Sequence, residues 1–339
     1  MHITINDIAE KAGVSVATVS RVINMLPNVS EASRQRVQEV IDEYNYIPNA
    51  FARGLSSNSS NIIGVIIPEI ANPFFSEIIT GITEAADEEN LNILFFSTDE
   101  NSEKEKRSIR VLQEYRVRGL IITPVTGINE FDREFVNIFE SLQIPIVLMD
   151  RSIKNGSFEG VYFDDRAALY SATSLLLEVG HKDIVMATGS PDHIVTRRRV
   201  EGYKEAFKTH GVPIDEKNLP AGEFTIESAY NITKDLIKNN KLPTAFIGMN
   251  NMLSMGCLKA IHECGLTIPD DVAFIGYDKL DMIEILNMNL TLVEQNAAEM
   301  GRTAATLLID QLNGIRTPNS TILMPELIVR GSEKFPVKK

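Results

Sequence analysis

Seven apolar runs between residues 61 and 278 constrain the fold of this chain more than any other feature of its sequence. Stretches with helical periodicity separate the runs, which span residues 61–68, 91–97, 119–124, 144–150, 183–189, 244–249 and 271–278. Near-continuous Val, Ile and Leu are typical of strands buried on both faces, as in parallel sheets covered by helices. About twelve such elements in about 270 residues are too many for one small sheet. The pattern therefore predicts an α/β domain with two lobes.

Several polar or aromatic side chains follow these runs, where the carboxyl ends of the strands are expected. They are Asn72, Phe74, Asp150, Asn250 and Asp278. Parallel α/β domains bind ligands outside the carboxyl ends of their strands, so these side chains are candidates for a ligand pocket. Carboxylates and amides suit vicinal hydroxyls, and Phe224 could stack on a sugar or a base. Taken singly, an Asp at a strand end is more often a helix cap than a ligand-binding group, so the prediction depends on the whole set.

The first residues predict an amphipathic helix that ends at a glycine. Thr4 and Asp7 have the spacing of a capping box, and the apolar residues that follow recur with a helical period. These apolar residues are Ile5, Ile8, Ala9 and Ala12. Gly13 interrupts the pattern, and Ser15 can cap a second helix. Two short helices are therefore expected to meet at a tight turn.

The second helix, Val16 to Asn24, is expected to have one buried and one open face. Val19, Val22 and Ile23 line the buried face. Ala17, Ser20, Arg21 and Asn24 point away from it, and Val16 lies at the leading end. A third helix should begin near Ser30 and bury Val37, Val40, Ile41 and Tyr44. Such an all-α unit of three helices is typical of a helix-turn-helix DNA-binding domain, although a packing or dimerisation module stays open.

Charge and composition exclude several other classes of protein. Apolar residues make up 44% of the 339 and charged residues 23%, which excludes wholesale disorder. The net charge is −13, but residues 1–61 hold five basic and six acidic side chains, or −1. A protein that coats nucleic acid would be basic. No run is long enough to span a membrane and the start has no apolar signal segment, so a cytoplasmic protein without membrane association is expected.

Motifs for enzymatic, metal or redox chemistry are missing from the sequence. The five histidines are scattered, and the two cysteines, Cys257 and Cys264, suit free thiols rather than a disulfide framework. We find no G-x-G-x-x-G after the first strand, no G-x-S-x-G elbow and no P-loop. The chain is therefore expected to bind no metal and no cofactor, and not to be an enzyme.

Two stretches near the start carry a resemblance to a known family. They read ITINDIAEKAGVSVATVSRVIN and NVSEASRQRVQEVIDEYNYIPNAFARGL, and they resemble the DNA-binding headpiece of LacI/GalR repressors. The resemblance implies base contacts from Val16, Ala17 and Arg21, and backbone contacts from Thr18, Ser20 and Asn24. It also implies a hinge helix that forms on DNA and wedges Leu55 into the minor groove. Arg21 has the chemistry to fork onto a guanine.

The resemblance extends through the large domain, which is similar to the effector domain of the same family. The matching motifs are GVIIPEIANPFFSEIITGI, PIVLMDR, GHKDIVMATG, RRRVEGYKEAF, NNMLSMGCLKAI, GLTIPDDVAFIGYD and EMGRTAATLLIDQLNG. It implies that Arg199 faces the ligand cleft, with Asp150, Asn250 and Asp278 as polar clamps. Arg197 and Arg198 are either solvated or favour an anionic effector. The chain departs from the family at Asn250-Asn251, where Asn-Asp is usual, and at Asp165-Arg166, where Asp-Asn is usual.

These features together predict three segments. They are a helix-turn-helix domain over residues 1–47, a hinge helix and linker over 48–60, and a two-lobed, periplasmic-binding-protein-like domain with parallel sheets over 61–339, where the chain crosses between lobes near 160 and 290. No leucine heptads follow the large domain, so a homodimer is expected.

The predicted function is that of a transcriptional regulator, a repressor of carbohydrate-related genes. It would bind a palindromic operator in double-stranded DNA and would be switched by a sugar, a sugar derivative or a purine. The alternative is control by a phosphorylated carrier protein, as in catabolite-control members of the family. The segment that would contact this partner has two acidic side chains, Glu294 and Glu299, and one basic side chain, Arg302. This makes it a poor binding site for phosphate.

Overall fold

The computed structural model consists of two compact units, Met1–Ser60 and Asn61–Lys339. It describes residues 3–23, 25–46, 60–125, 131–153, 156–239, 241–279, 283, 285, 288–316 and 320–335, with the backbone alone for 131–133. Asn24, Leu55 and the predicted hinge helix lie outside the described residues, so the predictions made for them stay predictions.

The smaller unit contains three helices among its described residues: α1 (Ile5–Ala12), α2 (Val16–Ile23) and α3 (Glu31–Glu43). The predicted capping box is present, since Thr4 N–H donates to Asp7 Oδ2 at 2.7 Å and Asp7 N–H donates to Thr4 Oγ1 at 3.4 Å. Gly13 ends α1 at a φ of 64°, a left-handed conformation that glycine adopts without strain. Ser15 Oγ accepts from Thr18 N–H at 3.2 Å and begins α2 as predicted.

The core of this unit is formed by the apolar faces of all three helices. Its buried side chains are Ile8, Ala9, Ala12, Val19, Val22, Val37 and Val40. The prediction that Tyr44 is buried is wrong, because Tyr44 lies beyond the last turn of α3 and is 41% exposed. Its ring instead receives the Lys11 ammonium at 4.7 Å from the centroid.

The larger unit contains two sheets, which define two lobes. The sheet of lobe 1 has the strand order β10-β5-β4-β3-β1-β2, and all of its neighbouring strands are parallel. Its strands are β1 (Ile62–Ile67), β2 (Asn92–Ser97), β3 (Leu120–Ile122), β4 (Ile146–Met149), β5 (Glu159–Phe163) and β10 (Ser320–Leu323). Its helices are α4 (Pro73–Glu88), α5 (Ser102–Glu114), α6 (Phe131–Leu142) and α11 (Ala297–Leu312). Separate apolar clusters cover the two faces of this sheet.

The sheet of lobe 2 has the strand order β11-β9-β8-β7-β6. Its strands are β6 (Ile184–Ala187), β7 (Ala245–Gly248), β8 (Ala273–Tyr277), β9 (Thr291–Glu294) and β11 (Glu326–Ile328), the last antiparallel to β9. Its helices are α7 (Asp165–Val179), α8 (Ile194–Thr209), α9 (Ile226–Lys238) and α10 (Asn251–Glu263). The predicted class, a helical headpiece with a two-lobed α/β domain, is therefore observed.

The chain passes between the lobes three times rather than twice. It leaves lobe 1 after β5, returns between β9 and α11, and leaves again between β10 and β11. The third passage was not predicted, because β10 and β11 are short edge strands. Residues of β10 alternate between exposed and half-buried, so no continuous apolar run marks it.

Candidate functional site

The open face of α2 carries most of the predicted DNA contacts. Val16, Ala17 and Arg21 are exposed, with Val16 41% exposed despite its apolar side chain. Thr18 and Ser20 are half-buried, and the Thr18 hydroxyl lies 2.9 Å from Ser15 Oγ. Within the described part of the chain, the side chain of Arg21 has no hydrogen bond or ion pair, which leaves its five N–H donors available.

All seven residues predicted for the effector site line one cleft between the two lobes, which has about 540 Å³ of empty space. Asn72, Phe74 and Asp150 come from lobe 1, and Arg199, Phe224, Asn250 and Asp278 come from lobe 2. This volume includes space that is open to solvent. The rule that ligands bind at the carboxyl ends of parallel strands thus selected residues that are neighbours in space.

Two of these residues also cap helices. Asn72 Oδ1 accepts from Phe74 N–H at 3.1 Å at the start of α4, and Asn250 Oδ1 accepts from Leu253 N–H at 2.8 Å at the start of α10. Asp150 and Asp278 cap no described helix. Each follows a central strand with a φ of 63°, a left-handed conformation that is costly for a residue with a side chain. Each lobe therefore contributes a strained carboxylate to the lining of the cleft.

The two carboxyl groups are buried and poorly neutralised. Burial raises the pKa of Asp150 to about 6 and that of Asp278 to about 7, against a partial lowering by Arg151 and by Arg199, respectively. Asp278 Oδ2 accepts from Asn251 N–H at 3.3 Å, but its Oδ1 has no hydrogen-bond partner among the described residues. A ligand that donates hydrogen bonds would satisfy the oxygens of both carboxyl groups.

Arg199 is held rigidly within lobe 2. Its Nε and Nη2 both lie 2.8 Å from Asp165 Oδ1, its Nη1 donates to Met249 O at 2.6 Å, and its guanidinium lies 4.0 Å from the centroid of the Tyr277 ring. Burial alone would lower the pKa of Arg199, but the neighbouring negative charge of Asp165 raises it overall. Asp165, noted in the sequence only as the residue before the departure at Arg166, is thus the partner of Arg199.

Several cleft residues were missed by the sequence analysis. They are Glu69, Phe75, Glu100, Arg151, His193, Val195, Asn251 and Gln295. Glu100 lies just beyond β2 and Arg151 directly follows Asp150, so the rule that selected Asp150 could have found both. Arg151 Nη1 and Nη2 donate to the two Glu100 oxygens at 2.8 and 2.6 Å. The sequence pattern contained no sign of this two-point ion pair.

Aromatic rings contribute the apolar part of the cleft from both lobes. Phe74 packs edge-on against Phe75 with centroids 5.2 Å apart, and Phe224 packs edge-on against His193 at 5.3 Å. A Cβ at Gly189 would lie 2.4 Å from the Phe224 ring, so only glycine allows the ring to approach here. Burial and the nearby Arg151 lower the pKa of His193, so this ring adds little positive charge at neutral pH.

Two side-chain hydrogen bonds between described residues join the lobes near the cleft. Asn251 Nδ2 donates to Asn72 Oδ1 at 2.7 Å, and Arg198 Nη2 donates to Ser152 Oγ at 3.3 Å. Among the described residues, no group of three or more His, Cys, Asp or Glu side chains could hold a metal ion. Within the same part of the chain, no helix has the length and apolar character needed to cross a membrane.

Comparison with known proteins identifies two family models along the chain. Residues 4–49 match bacterial regulatory proteins of the lacI family, and residues 60–330 match periplasmic binding proteins and the sugar-binding domain of the LacI family. The second match alone covers more than half of the 339 residues.

Curated relatives and solved structures match nearly the full length. The HTH-type transcriptional regulator DegA of Bacillus subtilis (strain 168) is 34% identical, with 98% of each chain covered. Catabolite control protein A of Priestia megaterium is 32% identical, with 97% of this chain and 98% of the relative covered. The Lac repressor dimer bound to operator and the anti-inducer ONPF has a TM-score of 0.85 at 25% identity, covering 98% of this chain and 100% of that one.

Proposed function

The chain belongs to the LacI family of bacterial regulatory proteins, and on that premise we propose that it is a homodimeric repressor switched by a carbohydrate effector. Its relatives are transcriptional regulators rather than enzymes, and DNA-binding regulation is accordingly its function. The proposal adds to this the contact residues, the effector site and the switch.

We propose that α2 enters the major groove of a palindromic operator. Arg21 supplies a guanidinium fork for a guanine, and Val16 and Ala17 supply apolar contacts, such as with a thymine methyl. Thr18, Ser20 and Asn24 contact the DNA backbone, and Leu55 wedges into the minor groove. The exposed side chain of Arg21, which has no hydrogen bond or ion pair among the described residues, supports this proposal, because its guanidinium is available to a base edge.

The effector is proposed to lie in the cleft, between Asp150 on one lobe and Asp278 on the other. The single observation that carries this proposal is the pair of strained, buried carboxylates facing the same space. Hydroxyl groups of a sugar would donate to these oxygens, and its apolar face would stack on Phe74 or Phe224. A solved regulator in complex with cellobiose has a TM-score of 0.73 to this chain at 26% identity, which supports a carbohydrate.

The switch is proposed to act through the angle between the two lobes. An effector that contacts both Asp150 and Asp278 binds one arrangement of the lobes better than another, so it shifts the population between them. In a dimer this shift would alter the spacing of the two headpieces. The edge strand β2 supports a dimer, since its apolar side chains Ile93, Leu94, Phe95 and Phe96 are half-buried within one chain.

Control by a phosphorylated carrier protein is less well supported. The candidate landing side chain, Arg302, already forms an ion pair with Glu84, and its Nε lies 3.8 Å from a Glu299 oxygen. A phosphate would have to displace Glu84 and approach a second carboxylate, which opposes binding by like-charge repulsion.

A thermal-shift screen against neutral sugars, sugar phosphates, uronates and purines tests the effector site. A ligand at 100 times its Kd adds about 2.7 kcal/mol to the stability of the unit that binds it. Asp150→Ala is expected to abolish the shift given by an effector, whereas Asp270→Ala, an exposed carboxylate outside the cleft, should retain it. A shift that survives Asp150→Ala would place the ligand elsewhere.

A further inference from the structure

The lining of the cleft has more acidic than basic side chains. Glu69, Glu100, Asp150 and Asp278 line it, against the two cations Arg151 and Arg199. Asp165 lies directly behind Arg199 and adds a further carboxylate. Burial and the charges of Glu100 and Asp99 raise the pKa of Glu69. The acidic side chains at this site therefore disfavour the ionisation of one another.

Neither lining arginine has an open guanidinium fork. Every nitrogen of the Arg199 guanidinium is directed at Asp165 or Met249 O. Arg151 uses both Nη atoms on Glu100, and its Nε lies 3.6 Å from Asp150 Oδ2. Phosphate and carboxylate ligands are recognised through two-point contacts with such forks.

Arg197 and Arg198, which precede Arg199 in the sequence, do not provide an open guanidinium fork for the cleft. Arg197 Nη1 donates to Pro191 O at 3.0 Å and to Asp192 O at 2.9 Å, and Arg198 Nη2 donates to Ser152 Oγ at 3.3 Å. Neither residue lines the cleft. The option of an anionic effector bound by these two side chains therefore finds no geometric basis among the described residues.

We infer that Glu100 is a specificity-determining residue that keeps anionic ligands out of the cleft by occupying Arg151, so that the effector is an uncharged or cationic hydroxyl donor. This inference rests on the proposed effector site. Glu100 is 37% exposed at the rim, whereas Arg151 is 7% exposed beneath it. An incoming phosphate would have to displace Glu100 and would then meet that carboxylate and Asp150 within a partly desolvated space, where like charges repel strongly.

Inorganic phosphate is a probe that needs no knowledge of the natural effector. The full chain, E100Q, R151Q and E100Q/R151Q are titrated with phosphate at constant ionic strength, with chloride as the balancing anion. E100Q should bind phosphate at least about tenfold more tightly than the wild type, because a charge-assisted fork becomes available. The double variant should lose this gain. Comparison with the double variant also corrects for the general stabilising effect of phosphate and for any phosphate that binds at the headpiece.

The wild type tests the inference even if E100Q does not fold. It should respond to phosphate no more than R151Q does, since Arg151 is occupied. A stronger response of the wild type would show that Arg151 is open to anions and would overturn the inference, as would an E100Q variant that folds and gains nothing. Whether any ligand changes operator affinity is a separate measurement, so failure of the proposed switch is distinguishable from failure of this charge selection.

Discussion

Asn251 Nδ2 donates a hydrogen bond of 2.7 Å to Asn72 Oδ1 and thereby joins the two lobes across the cleft. Other contacts determine the direction of this bond. Asn72 Oδ1 also accepts from Phe74 N–H at 3.1 Å, and Asn251 Oδ1 accepts from Met252 N–H at 2.7 Å. Both amide oxygens face donors, so position 251 must provide an N–H group. An Asp, which is usual here in the family, would present an oxygen to an oxygen.

Asn251→Ala is expected to lower the free energy of unfolding of the effector-free larger unit by about 1 kcal/mol, the usual net value of a hydrogen bond. Asn251→Asp should cost more, because it places two acceptors in contact. Denaturant unfolding measures both, with Asn313→Ala as a control at an exposed asparagine. An unchanged stability in both Asn251 variants would show that the contact does not hold the lobes together.

Asp165→Asn should destabilise the larger unit by about 3 kcal/mol or more, because it leaves the buried Arg199 guanidinium without its counter-charge. Glu205→Gln is the matched control: it breaks the exposed ion pair with Arg166, whose partners are 57% and 39% exposed, and should change stability little. Equal effects of the two variants in denaturant unfolding would contradict the assigned role of Asp165.

The contribution of Asp278 to the stability of the effector-free chain should fall as the pH rises from about 4 to about 7. Burial raises the pKa of Asp278 from 3.8 to about 7, so between these values the folded state binds more protons than the unfolded state. Each unit of difference between the pKa values in the folded and unfolded states changes the free energy of unfolding by about 1.4 kcal/mol. Asp278→Asn, which resembles the protonated acid, should flatten this dependence in thermal unfolding at about pH 5 and about pH 7.5. An equal pH dependence of stability in the variant would show that other titratable groups cause it.

Arg21→Ala should weaken binding to the operator by about 10- to 100-fold, since a bidentate contact with guanine contributes about 1–3 kcal/mol of discrimination. Arg36→Ala removes the same charge from α3, outside the proposed contact face, and should weaken operator and scrambled DNA alike. Fluorescence anisotropy with both duplexes compares them. A loss in Arg21→Ala that is equal on the two duplexes would show a phosphate contact rather than a base contact.

The sequence was sufficient to predict the two-lobed architecture and the cleft residues that directly follow strands. Strong periodic signals predicted α1 to α3 and the central strands, and the strand-end rule selected Asp150 and Asp278 together. Long-range partners carried no such signal. The bond from Asn251 to Asn72 spans 179 positions, and the pairing of Arg151 with Glu100 depends on the register of two strands and the loops after them.

Weak local patterns explain the remaining differences. The strands β10 and β11 have few apolar residues in succession, so the third passage between the lobes was missed. Tyr44 continues the period of α3 in sequence, but the helix ends at Glu43, and the period has no meaning beyond it. Phe224 was selected for its aromatic chemistry alone, and its place in the cleft depends on the absence of a side chain at Gly189.

Occupation of the cleft is proposed to change the affinity of this regulator for DNA. Fluorescence anisotropy tests this with the full chain on a palindromic duplex selected from a random pool, with and without a ligand whose thermal shift requires Asp150. We expect the ligand to change operator affinity by about 5- to 150-fold, the usual range of allosteric coupling, and to leave the operator affinity of Asp150→Ala unaffected. A ligand that saturates the cleft and leaves operator affinity unchanged would rule out the proposed switch.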